Sequence, residues 1–149
     1  MDKKLESDLL RENIKIANNS KRIKAYVIDE ILISLIIFAS FWGKFSDEED
    51  ILVIIETVNS LFFAVITLKI IYHAFFTYMY GATIGKIITK TVIISCDSLA
   101  KPEFIPALTR SIIRILSEML FYFGFFWAFF NDEKQTWHDK IAKTIVVDV

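Results

Sequence analysis

Residues 23–43 read IKAYVIDEILISLIIFASFWG, and the fold turns on them. A bilayer-spanning helix needs about 20 predominantly apolar residues. This stretch has that length, with Lys24, Asp29 and Glu30 near its start and no charge from Ile31 to Gly43. The segment before it contains Asp2, Glu6, Asp8 and Glu12, and no small-x-small cleavage site follows. It therefore reads as a retained span rather than a secretory leader.

Two more apolar stretches follow. Residues 51–80 form a long run interrupted by Glu56, Lys69 and His73. As a helix it would reach about 45 Å, enough to span with tilt. Residues 105–130 begin amphipathic, with Arg110, Arg114 and Glu118, and end uncharged and aromatic in MLFYFGFFWAFF. The composition agrees: 54% of the 149 residues are hydrophobic and 23% charged, so the charges are segregated from the apolar runs. Net charge is −1, which gives no electrostatic footprint for nucleic acid. The single Cys96 excludes a disulfide framework and a cysteine-based zinc site.

Lysine and arginine set orientation. Lys3, Lys4, Arg11, Lys15, Lys21, Arg22 and Lys24 precede or open the first span, whereas the loop GKFSDEED after it has one lysine and four acids. The N-terminus is thus expected in the cytoplasm and Ser46 to Asp50 outside. The second span returns inward, toward Lys86, Lys90, Lys101, Arg110 and Arg114. Within residues 1–22, Leu5, Leu9, Glu12 and Ile16 recur at helical spacing, as in a frayed polar helix or one lying on the membrane surface.

After Tyr80 the periodicity changes. Lys90-Thr-Val-Ile-Ile-Ser95 and Lys143-Thr-Ile-Val-Val-Asp148 are short β-branched runs. They match in pattern, with one residue of difference in their spacing from the upstream Lys86-Ile and Lys140-Ile. A lone strand is not viable in lipid, so the two are expected to pair on the cytoplasmic side. Residues 105–130 would then enter and return, with Gly124 as the bend; a straight crossing is the other reading.

Asp29 is the residue that most needs a partner, because a carboxylate within a span costs about 2.5–3.5 kcal/mol on insertion scales. Its depth matches His73 on an antiparallel second span, and Lys69 lies one turn deeper on the same face. Asp29, Lys69 and His73 are therefore candidates for a proton or cation relay, or for an ion pair locking two helices. Arg22 is expected to snorkel into headgroups. Glu30 points about 100° from Asp29. Tyr80-Gly-Ala-Thr-Ile-Gly-Lys86 is one residue short of a phosphate loop, and Ile87 stands where Ser or Thr would bind magnesium. Gly81, Gly85 and Lys86 read instead as a helix stop and turn. Arg110 and Arg114 form a basic helix face, suited to snorkelling or to anionic lipid. His138-Asp139 is too sparse for a metal site, and no catalytic constellation or cofactor motif stands out.

Taken together, Arg22-Ile-Lys-Ala-Tyr-Val-Ile-Asp29, Gly81-Ala-Thr-Ile-Gly-Lys86, Leu108-Thr-Arg110 and His138-Asp139-Lys-Ile-Ala-Lys-Thr144 resemble, in order, the signatures of the RDD family of bacterial membrane proteins. The resemblance runs from Ser20 to the C-terminus. It maps the named arginine and two aspartates onto Arg22, Asp29 and Asp139. Lys143 departs from it, standing where the family usually has glycine before threonine. The resemblance implies a bacterial membrane protein of suspected transport function.

The expectation is an all-α membrane protein with a cytoplasmic segment at 1–22 and a membrane domain at 23–149. That domain would hold two transmembrane helices, a third spanning or re-entrant segment and a small cytoplasmic two-strand β element. The protein would be multi-pass in the inner membrane, non-enzymatic and without cofactor or metal. Two or three spans cannot enclose a pathway, so a homo-oligomer or a larger complex is implied. Transport of protons or small cations through Asp29 is one functional expectation; a scaffold or regulatory subunit is the other.

Overall fold

The structure is a computed structural model that describes the backbone of residues 3–46, 50–131 and 134–149. Most of the acidic loop expected outside the membrane lies beyond those residues, as do the side chains at 3, 4, 41, 44–46, 54, 57 and 58.

Two long helices carry the apolar runs: α2 (Asn19–Ser46) and α3 (Ile51–Tyr80), preceded by the short α1 (Lys3–Arg11). Asp50 caps α3 by accepting from the Leu52 amide at 2.9 Å. Gly81 ends it in the left-handed region (φ 69°), donating its N–H to Thr77 O, which is the stop expected of that glycine. The outer faces of both helices are apolar and exposed, with Leu35, Phe38 and Trp42 on α2 and Ile51, Leu52 and Phe63 on α3. Among the described residues one helix, over Asn59–Tyr80, is long and apolar enough to cross a bilayer.

The remaining elements are α4 (Ile84–Ile88), β1 (Thr91–Ser95), α5 (Phe104–Met119), α6 (Phe123–Phe126), a single 3₁₀ turn (Trp127–Phe129), α7 (Trp137–Ile141) and β2 (Thr144–Asp148). The strands pair antiparallel, Thr91 opposite Asp148 and Ser95 opposite Thr144, as their β-branched runs imply. Each strand is entered the same way. Thr83 caps α4 at ψ 168° and Thr136 caps α7 at ψ 170°. Lys90 and Lys143 then take left-handed conformations (φ 53° and 50°) before Thr91 and Thr144. Both strands thus begin eight residues after a threonine cap, and the expected one-residue offset disappears. Lys86 corresponds to Asp139, not to Lys140.

Leu5 and Leu9 of α1 are buried with Ile94, Ile145 and Val147. The apolar face expected to fray or to lie on a membrane is turned onto the sheet, where the β-branched residues offer it apolar area. Lys15 and Ala17 extend this platform along β2, through Asp148 N–H to Lys15 O (2.9 Å) and Ala17 N–H to Val146 O (3.0 Å).

α5 and the α6–3₁₀ segment meet at 110°. The bend falls at Phe121 and Tyr122, both left-handed (φ 52° and 62°), rather than at Gly124. Gly124 serves close approach instead, since a Cβ there would overlap Ser117 Oγ. The main helix pairings are α3 with α5, α2 with α4, and α5 with α7. Contact between α2 and α3 is slight, which bears directly on Asp29.

Candidate functional site

Asp29 is 1% exposed, and its carboxylate is filled by three donors. Oδ1 accepts from Tyr72 Oη at 2.8 Å and from the Gly85 amide at 2.8 Å; Oδ2 accepts from Thr83 Oγ1 at 2.6 Å. The approach depends on Gly85, where a Cβ would overlap the Ala25 carbonyl and lie 2.9 Å from the Asp29 carboxylate. The α4 turn therefore docks on α2 through a bare backbone. The α3 residue that reaches Asp29 is Tyr72, next to His73; Lys69 and His73 themselves are not its hydrogen-bond partners.

Lys69 instead bridges Glu30 (2.8 Å) and Glu118 (3.0 Å). Arg114 joins this group through Glu118 at 3.2 Å, with its guanidinium 4.9 Å from the Tyr26 ring centre. Glu30 is thus the α2 carboxylate that meets Lys69. Among the described residues His73 Nε2 is buried with no hydrogen-bond partner.

Arg22 reaches into the sheet platform rather than snorkelling. Its Nη1 donates to Asp139 Oδ2 (2.9 Å) and to Lys134 O (2.6 Å), and its Nη2 donates to Val146 O (3.2 Å). Asp139 also pairs through Oδ1 with Arg110, which in turn donates to Thr144 Oγ1 at 2.9 Å. The Asp139 carboxylate closes the capping box of α7 by accepting from Thr136 N and Oγ1. One fully buried carboxylate thereby ties α2, α5 and α7 together. Arg110 and Arg114 are about 5% and 6% exposed, so the expected basic surface face points inward. The cause is local: Asp139 and Glu118 supply the countercharges.

A cavity of about 240 Å³ lies beside this cluster. Arg22, Lys86, Arg110, Arg114 and Asp139 line its polar side, and Tyr26, Tyr122, Phe125, Phe126 and Phe129 its aromatic side. Lys86 is 6% exposed. Burial, and then Arg110, Arg22 and Arg114, push its ammonium well below the usual lysine value. His138, also on the wall, is pushed well below the usual imidazole value by burial and by Arg110 and Arg114, so it is neutral at pH 7. Among the described residues no three His, Cys, Asp or Glu side chains gather as a metal site.

The structure therefore splits the sequence candidates into separate groups. Arg22, Asp139 and Arg110 meet directly, with Lys86 on the same cavity. Asp29 meets Gly85, and Lys69 belongs to the Glu30–Glu118–Arg114 network. Thr83, Tyr72, Glu30 and Thr136 were missed from sequence. The spacing Thr136-x-x-Asp139, a capping box, is the signal that could have found the last of these.

The RDD family model matches residues 16–143, most of the chain. The chain is also 34% identical over 90 residues to the uncharacterized protein RP437 of Rickettsia prowazekii (strain Madrid E). That match covers 60% of this chain and 50% of the relative, so the chain spans about half the length of the curated relative it matches. No solved structure gives a significant match. Family membership suggests a membrane protein, in keeping with the exposed apolar faces of α2 and α3. With its Arg22, Asp29 and Asp139 built into two buried clusters, the chain belongs to the RDD family.

Proposed function

We propose that this is a non-enzymatic, multi-pass inner-membrane module whose Arg–Asp–Asp signature is a clamp. It would act as a scaffold or regulatory subunit within a homo-oligomer or larger complex. One observation carries this reading: the Nη atoms of Arg22 and the carboxylates of Asp29 and Asp139 bind groups of this chain, joining α2 to α3, α4, α5, α7 and β2. The lysine and arginine asymmetry supports a cytoplasmic N-terminus. Pairing of β1 with β2 supports the re-entrant reading of residues 105–130, since both strands then lie on one side of the bilayer.

The second reading is transport of protons or small cations. It is favoured by the Lys69–Glu30–Glu118–Arg114 network, because buried intramembrane charges mark ion pathways by default. Reconstitution into liposomes discriminates the two. The clamp reading expects proton and sodium flux at the level of protein-free vesicles, together with crosslinked species above the 17.3 kDa monomer. Flux well above background that disappears on Lys69→Met would establish the transport reading instead.

A further inference from the structure

The basic cavity has more positive charge than the clamp requires. Arg22 and Arg110 share the single carboxylate of Asp139. Arg114 has Glu118. Lys86 has no ion pair and no side-chain hydrogen bond among the described residues, yet it is buried on the cavity wall. A buried ammonium without a partner is costly, and the cost is offset only when an anion arrives. Three basic side chains face one carboxylate on the cavity wall; Asp29 and Asp148, which do not line it, offset part of the charge of Lys86 and Arg22, and the wall itself is net basic. Among the described residues Arg22 Nε and Arg114 Nη2 are, in addition, buried donors without a hydrogen-bond acceptor, Arg114 Nη2 lying 3.9 Å from Glu30 Oε1.

The opposite wall is of a different kind. Phe125 is half-buried there, while Phe126 and Phe129 are more than half exposed, 58% and 57%. They continue into Phe121, Phe123 and Phe130, the most exposed aromatics of the α5–α6 corner. The cavity therefore runs from a buried cationic end to an apolar rim. Its volume lies just below the range of about 300–1,000 Å³ usual for whole small-molecule sites. That suits a headgroup with the first part of a chain, the rest lying outside.

We propose that this cavity binds an anionic amphiphile, a phospholipid of the surrounding bilayer with a singly charged phosphate headgroup. The phosphate sits between Lys86 and the Arg22–Arg110 pair, with Asp139 screened by its two arginines. The hydrocarbon chain leaves over Phe126 and Phe129. The site goes beyond the clamp reading and needs only that the chain meet lipid. Failure of the clamp would show in flux and oligomeric mass, whereas failure of this site shows only in lipid affinity.

The test uses the full chain in a neutral detergent, titrated separately with phosphatidylglycerol, phosphatidylcholine and inorganic phosphate, with binding read by native mass spectrometry and thermal shift. Phosphatidylglycerol should bind saturably and raise the melting temperature. Phosphatidylcholine and inorganic phosphate should each bind at least about tenfold more weakly, as expected when a charge-assisted contact or the apolar chain is missing. Lys86→Met breaks no side-chain hydrogen bond or ion pair among the described residues, so it should fold while losing about tenfold in phosphatidylglycerol affinity. Phe126→Ala should weaken phosphatidylglycerol and leave inorganic phosphate unchanged. Equal binding of phosphatidylcholine, inorganic phosphate as tight as the lipid, or an unchanged Lys86→Met variant would each overturn the proposal.

Discussion

Arg22 and Asp139 stand 117 positions apart in the chain and meet at 2.9 Å, inside a platform where Asp139 is fully buried. The pair joins the first residues of a long apolar helix to a five-residue helix near the C-terminus. Removing one partner of a buried ion pair strands the other, which costs about 3–5 kcal/mol. Asp139→Ala strands both Arg22 and Arg110 and opens the α7 capping box, so it should exceed Arg22→Ala. Thermal unfolding in detergent, followed by circular dichroism, should rank the two variants in that order.

Gly85 makes the second contact. A methyl group there would overlap the Ala25 carbonyl, which as backbone cannot swing aside. Overpacking of this kind costs about 1–3 kcal/mol, and here it also lengthens two hydrogen bonds to Asp29. Gly85→Ala should destabilise by at least that much. Gly43→Ala, with nothing within 4 Å of its Cβ, is the control that should not.

Lys143 occupies a left-handed conformation at φ 50°, where the family usually places glycine. A side chain in that region costs about 1–2 kcal/mol, and glycine returns part of this as unfolded-state entropy. Lys143→Gly should therefore stabilise by about 0.5–1 kcal/mol. Lys140→Gly, within α7, should destabilise by about 1 kcal/mol. A loss of melting temperature in Lys143→Gly would show that the lysine makes a contact worth more than the strain.

How far the sequence reached follows from these cases. The strands were legible because Val and Ile runs bounded by turn residues have few other uses. The partners of Arg22 were not, because nothing periodic links residues 22 and 139. Glu30 points about 100° from Asp29 on the helix, and that angle is what takes it to Lys69. Depth arithmetic pairs Asp29 with His73; the α3 side chain that meets it is the adjacent Tyr72, at 2.8 Å, and the other donors are Thr83 and Gly85 at the α4 turn, which packs on α2 more than α3 does. The burial of α1 was hidden because two leucines in a charged helix carry little signal until a sheet exists to receive them.

His138 gives a pH dependence with a definite sign. It is buried neutral beside Arg110, Arg114, Lys86 and Arg22, with its folded pKa well below the unfolded value of about 6.5. Above that value both states are neutral and the histidine is silent. Below it the unfolded chain takes up the proton first, so stability falls with pH, by up to about 1.4 kcal/mol per unit, until the folded pKa is reached. Melting temperatures between pH 8 and pH 5 should decline on the acid side. His138→Gln should flatten that decline; an unchanged slope would assign it to other groups.

The last prediction separates the two readings of Asp29. In its present role the residue needs acceptors: Tyr72 and Gly85 donate to Oδ1, Thr83 to Oδ2. Asparagine can keep most of this. Its carbonyl oxygen takes the Oδ1 position, and its amide donates to Thr83 Oγ1, since a hydroxyl accepts as readily as it donates. The loss is then the charge assistance alone, about 1 kcal/mol. Alanine offers no acceptor. It leaves the Gly85 N–H buried and unpaired, adds a void, and should cost about 2–4 kcal/mol. A clamp therefore predicts that Asp29→Asn assembles nearly normally while Asp29→Ala does not. A proton carrier predicts that both lose flux equally, because neither side chain titrates. Unfolding and flux per folded molecule, measured on the same two variants, give opposite patterns for the two roles. Near-normal stability of Asp29→Asn with complete loss of proton flux would return Asp29 to a transport role.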